Sequence, residues 1–198
     1  MTVTTKRARC HSPVDVSACF QGLLGWLLTG WQGSELALAL AATWHGDRLV
    51  ALVVSVLYRG GAISVAWHLL PANQERAWLP EILTLFRRLR PAVPATMTVL
   101  VLADRGLWSP TRWVERRHLG WHPLRRIQNP MTFAAPGRDR CRVEALVRQG
   151  QAWIGQGRLG TPKQARPTVT LVVVWTLDQE APWAVVTDLR PTEVGVSW

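Results

Sequence analysis

Met97-Thr-Val-Leu-Val-Leu-Ala103 runs directly into Asp104-Arg-Gly-Leu-Trp108. A near-continuous apolar run of this kind belongs to a strand covered on both faces, the situation of parallel strands in α/β domains. The run stops on a carboxylate that enters a turn, so a buried strand delivers an acid to the rim of a sheet. Downstream, Ser109-Pro110 supplies an N-cap and a proline at the first helical position, which predicts a helix to about Leu119. Residues 122–127 then read as the next strand. Upstream, Leu36-Ala-Leu-Ala-Leu-Ala-Ala-Thr43 alternates large and small residues, His45-Gly46-Asp47-Arg48 is turn chemistry, and residues 49–58 are β-branched and apolar. Gly60-Gly61 turns the chain again into residues 62–70, so three antiparallel strands are predicted in succession. Between them and the buried strand, residues 77–89 set Trp78, Leu79, Ile82, Leu83, Leu85 and Phe86 on one face, with Arg87, Arg88 and Arg90 at the end. That pattern is an amphipathic crossover helix with cations at its negative pole.

The rest of the chain carries weaker signals. Residues 1–19 are polar, basic and aperiodic, which reads as a loose lead-in, and residues 20–32 as a short helix. From 128 to about 182 the sequence is rich in Gly, Pro and Arg, which suggests short strands and loops forming a β-rich insertion; within and after it, residues 169–175 and 183–188 return to strand character around the turn at 178–182. One domain suits 198 residues, of which 48% are hydrophobic. Leu36 to Tyr58 is the longest apolar stretch, and the turn at 45–48 cuts it into arms too short to cross about 30 Å of hydrocarbon as a helix. No secretory leader is read at the N-terminus, because Gln21 and Gly22 interrupt the apolar segment at 20–28. Cys10, Cys19 and Cys141 are too few and too scattered for a disulfide framework, so a reducing, cytoplasmic setting without a membrane partner is expected.

Lysine and arginine outnumber acidic residues 23 to 13, for a formal charge of +10. Such an imbalance favours polyanions, and nearly all of it is arginine, whose planar fork suits bidentate phosphate contacts. Arg87, Arg88, Arg90, Arg116, Arg117, Arg125 and Arg126, interleaved with Trp113 and Trp121, could line a groove that tracks a phosphate backbone. A solvated basic face is the alternative.

Three antiparallel strands, a crossover helix, a buried strand ending in Asp, a helix and a further strand describe an RNase H-like mixed sheet. There the first and fourth strands lie side by side, so carboxylates on them can share two divalent metals that clamp the attacking and leaving oxygens of a phosphodiester. The residues also resemble a known family, the insertion-sequence DDE transposases. The resemblance is carried by Leu38-Ala-Leu40-Ala41-Ala-Thr43-Trp-His-Gly46-Asp47-Arg48, Tyr58-Arg-Gly60, Ile63-Ser-Val-Ala66-Trp67, Leu70-Pro-Ala-Asn73, the Leu102-Ala-Asp104-Arg-Gly106 block and Gly120-Trp-His122-Pro123, in that order across roughly residues 20–198. It implies that Asp104 is the second acidic residue of the catalytic triad and a metal ligand, that the intact reaction is Mg2+-dependent cleavage and strand transfer at transposon ends, and that Arg105, Arg112, Arg116, Arg117, Arg125 and Arg126 face DNA. From the local sequence alone, Asp104 can equally be a capping or turn aspartate.

Two departures bear on activity. Ala41 stands where the family has its first aspartate, and it offers a metal no oxygen. The third acidic residue lies on a later helix in the family, and this sequence reaches Trp198 before such a segment. Ser34, Thr43 and Asp47 are the candidate substitutes, and Asp47 is disfavoured because it lies in the hairpin turn more than about 10 Å along an extended strand from position 41. One carboxylate of three does not hold two hard cations. The expectation is therefore an incomplete transposase-like domain that binds no Mg2+ stably and does no chemistry, with DNA and an intact transposase as partners. Gly155-Gln-Gly157-Arg-Leu-Gly160 matches a dinucleotide-binding string but lacks a βαβ context, and His118 with His122 lacks a third metal ligand.

Overall fold

A computed structural model describes residues 15–72, 78–103, 107, 119–127, 131–160 and 168–193. After a short 3-10 turn, α1 (Cys19–Thr29) leads into β1 (Glu35–His45), β2 (Leu49–Tyr58) and β3 (Gly61–Pro71). Arg59 and Gly60 both adopt positive φ, 47° and 77°, which is the two-residue hairpin geometry that matches the twist of the flanking strands. The crossover is α2 (Leu79–Leu89), two residues shorter at its start than the periodicity predicts. Pro80 sits in its first turn, where a missing N–H costs nothing, and Arg87 and Arg88 in its last.

Next come β4 (Thr98–Ala103), β5 (His122–Arg126), β6 (Thr132–Ala134), β7 (Cys141–Arg142), β8 (Gln151–Leu159), β9 (Thr168–Trp175) and β10 (Trp183–Thr187). The helix expected after Ser109 lies outside the described residues. β8 is nine residues long where short strands were expected, because its sequence has little apolar periodicity to announce it. The Gly-rich string is part of this strand and not a phosphate loop. A Cβ on Gly157 would meet the Ala134 carbonyl at 2.3 Å and the Phe133 ring at 2.6 Å, so the glycine serves close strand packing.

The ten strands among the described residues form one mixed sheet in the order β3-β2-β1-β4-β5-β10-β9-β8-β6-β7. The first and fourth strands are neighbours and run parallel, as do β4 and β5, while β1 to β3 form an antiparallel meander. The segment read as an insertion prolongs the same sheet, because β10 returns antiparallel to β5. On one face, Leu36, Leu38 and Leu40 of β1 and Val99 and Val101 of β4 pack with Phe20 and Leu24 of α1 and Ile82, Phe86 and Leu89 of α2. A second cluster around Phe133, Leu171, Val173 and Val186 continues that face beyond β5. No described helix is long and apolar enough to cross a membrane.

Candidate nucleic-acid site at the strand ends

In open α/β sheets, ligands gather at the carboxyl ends of parallel strands. Here that edge is defined by β1, β4 and β5, whose last common row pairs Leu40 with Ala103 and Ala103 with Arg125. Side chains of registered partners share a face, so this row points into the helix-covered core. The row behind it, on the opposite face, holds Ala41 of β1 and Arg126 of β5. Ala41 is exposed, and Ala37 and Ala39 precede it on the same face. Asp104, Arg105, Arg112, Arg116, Arg117, Trp113 and His118 lie outside the described residues.

The consecutive arginines of β5 separate completely. Arg125 was expected to face DNA, but it is 1% exposed, and its Nη1 donates to the Leu107 carbonyl at 3.0 Å. Its Nε and Nη2 are buried without a hydrogen-bond partner among the described residues. Strand alternation is the reason: Arg125 shares the inward row with Ala103 and with Val186 of β10. Its guanidinium therefore ties β5 to Leu107, and it offers no surface to a duplex. Arg126 faces the other way and lies over the Trp183 indole, 3.9 Å from guanidinium carbon to ring centroid. Trp183 is 47% exposed and Arg126 half-buried over its ring, so the stacked pair sits at the surface on the face of Ala41. Sequence reasoning passed over Trp183, because only the β5–β10 pairing brings it to Arg126.

Among the described residues, Arg87, Arg88 and Arg90 do not share a groove with Arg126 as their spacing suggested. Arg90 is a tether, donating from Nε to the Leu119 carbonyl at 3.2 Å and from Nη1 to that of Val93 at 3.1 Å. Arg87 and Arg88 are exposed on α2, which covers the face opposite to Arg126. Trp121 is buried edge-on against Phe86 at 5.4 Å and is core, not a stacking platform. His122 pairs through Nδ1 with Asp188 at 3.0 Å, which links the start of β5 to the segment leaving β10.

The described residues do not suit a divalent cation at this edge. Ala41 presents a methyl group, Leu100, Leu102 and Leu124 share its face, and Arg126 adds positive charge where hard cations need oxygen ligands. No group of three His, Cys, Asp or Glu side chains among the described residues could hold a metal. What the edge can do is attract an anion through Arg126 and present an aromatic surface beside it. Neither a family model nor a curated protein matches the chain.

Proposed function

We propose that this chain is an RNase H-like, transposase-derived domain that binds DNA at the carboxyl edge of β1, β4 and β5 without cutting it. The observation that carries the reading is the parallel pairing of β1 with β4 through Leu40 and Ala103. The reading takes Asp104, the next residue in sequence after Ala103, as the partner of Ala41, the next after Leu40, and so makes Ala41 the counterpart of the missing first carboxylate. The sheet order β3-β2-β1-β4-β5 supports the same reading, as does the sequence block that runs from Leu102 to Gly106.

With the first ligand replaced by a methyl group, the charge balance of the edge shifts from cation-binding to phosphate-binding. Arg126 supplies a fork for phosphate oxygens, and the overall +10 charge draws a polyanion toward the surface. Counterion release then dominates affinity. The test is duplex binding by the full chain across a salt series, with Mg2+ and Mn2+ incubations run beside it. The reading expects log affinity to fall linearly with log salt and the DNA to stay intact. Cleavage that disappears in Asp104→Ala would overturn the inactive assignment, and binding indifferent to salt would overturn the DNA assignment.

A further inference from the structure

The two ends of the sheet are built differently. β7 closes one end with two residues, one of them Arg142. β3 closes the other with eleven residues, Gly61-Ala-Ile-Ser-Val-Ala-Trp-His-Leu-Leu-Pro71, none of which is Lys, Arg, Asp or Glu, in a chain that is 18% charged. Edge strands present a row of unpaired N–H and C=O groups, and soluble proteins blunt them with short length, charge, proline, bulges or a covering element. β3 has one bulge, opposite Val54 and Ser55, and a proline only at its last position. Beyond the bulge, residues 66–71 keep unbroken register with residues 49–54. Among the described residues nothing pairs with the outer side of β3. Apolar side chains of β3 are also open, with Ile63 and Leu69 exposed, Leu69 as much as 58%, while Trp67 packs on Phe20 of α1 at 4.9 Å between ring centroids.

We infer that β3 pairs antiparallel with β3 of a second copy of this chain, joining two sheets across a two-fold axis. An exposed strand edge calls for another extended strand, because only that satisfies its backbone groups in series. A strand paired antiparallel with itself is self-complementary, so one segment supplies both halves of a closed two-fold interface. Charge selects the same occupant. A polyanion finds no cation on residues 61–71, and an acidic peptide gains no ion pair there. Two copies that each carry +10 repel one another, and a strand without Lys, Arg, Asp or Glu, flanked at Trp67 and His68 by the opposite charges of Glu81 and Arg88, is where they can meet. The inference is independent of the DNA reading and carries the opposite salt dependence. Screening shortens from about 10 Å at 0.1 M to about 3 Å at 1 M, so added salt relieves the repulsion and strengthens the dimer, while it weakens binding to DNA.

Sedimentation of the full chain at micromolar concentration, in low and high salt, tests the pairing. Wild type is expected to shift from monomer toward dimer as salt rises, with the amides of β3 gaining hydrogen-exchange protection in the dimer. Leu69→Lys and Ile63→Lys, each placing a charge on an exposed edge position, are expected to stay monomeric with unchanged circular dichroism and melting. Leu177→Lys, at a 78% exposed residue in the turn after β9, is expected to dimerise like wild type. A wild type that is monomeric in every condition overturns the inference, and that measurement stands even if a variant fails to fold. Dimers of Leu69→Lys and Ile63→Lys as complete as those of wild type also overturn it, as does a dimer in which β3 amides gain no protection.

Discussion

Placing aspartate at position 41 tests the proposed neighbourhood of Ala41 and Asp104 without depending on activity. Adjacent strands lie about 4.8 Å apart, so two carboxylates side by side on one face stand about 5 Å apart. Their repulsion at that separation is about 0.8 kcal/mol at the dielectric of water and about 3 kcal/mol at an effective value near 20. Ala41 is exposed, which places the cost toward the aqueous end, at about 1 to 2 kcal/mol. For a domain of this size a destabilisation of that order lowers the melting midpoint by about 2–8 °C. Ala41→Asp should therefore melt below both wild type and the isosteric, uncharged Ala41→Asn in EDTA. Addition of Mg2+ or Mn2+ should return part of the loss to Ala41→Asp only, since two oxygens now face one cation. Differential scanning fluorimetry reads all three proteins in parallel. Equal melting of Ala41→Asp and Ala41→Asn in EDTA, with no response to divalent metal, would refute the pairing of positions 41 and 104.

Three further outcomes separate the roles assigned to neighbouring residues. Arg126→Ala should weaken duplex binding and flatten the log–log salt dependence by about 0.9, the value of one phosphate contact, whereas Arg125→Ala should leave that slope alone. Arg125→Ala should instead cost about 1–3 kcal/mol of stability by removing a buried charged donor and its hydrogen bond to the Leu107 carbonyl, a difference visible by anisotropy titration and thermal melting of the same samples. Gly157→Ala should destabilise by about 1–3 kcal/mol, because its Cβ collides with a backbone carbonyl that cannot swing aside; an unchanged melting curve would count against the β6–β8 packing. Asp15 caps the first 3-10 turn, and the Ser17 hydroxyl beside it is the chief cause that holds its carboxyl below the usual 3.8. A depressed folded-state value means that the contribution is complete above about 3.8 and is lost as pH falls through the lower folded value. Asp15→Ala should accordingly melt closer to wild type in acid than at neutral pH.

Much of the architecture was legible because its signals are local. The Leu-Ala alternation of residues 36–43 states which side of β1 is buried, and the observed burial of Leu36, Leu38 and Leu40 follows it. The turn at 45–48 needed only Gly and polar neighbours, the second turn, read at Gly60-Gly61, falls one residue earlier at Arg59-Gly60 with Gly61 opening β3, and the apolar face read over 77–89 needed only helical periodicity. The adjacency of β1 and β4 followed from the order of elements. Non-local facts were harder to read. Nothing in His122-Pro-Leu-Arg125-Arg126 says which arginine is buried until Ala103 fixes the register, so both were expected on the surface. Trp183 acquires its role only through a strand pairing some sixty residues away in sequence. β8 was obscured because Gly155 and Gly157 hold inward positions of the strand, where the Trp153 and Phe133 rings occupy the space that apolar side chains of their own would fill. Ala41 is the opposite case: the site residue that bears most on function is an absence of chemistry, visible in sequence only against the blocks that flank it.

The central claim is binding without cleavage, and one titration addresses it most directly. Labelled duplex DNA is mixed with the full chain in Mg2+ over a salt series, and both anisotropy and strand integrity are read from each sample. The account predicts a linear fall of log affinity with log salt, about 0.9 per phosphate neutralised, over DNA that remains uncut. Nicked or joined strands that vanish in Asp104→Ala, or an affinity that does not move with salt, would contradict it.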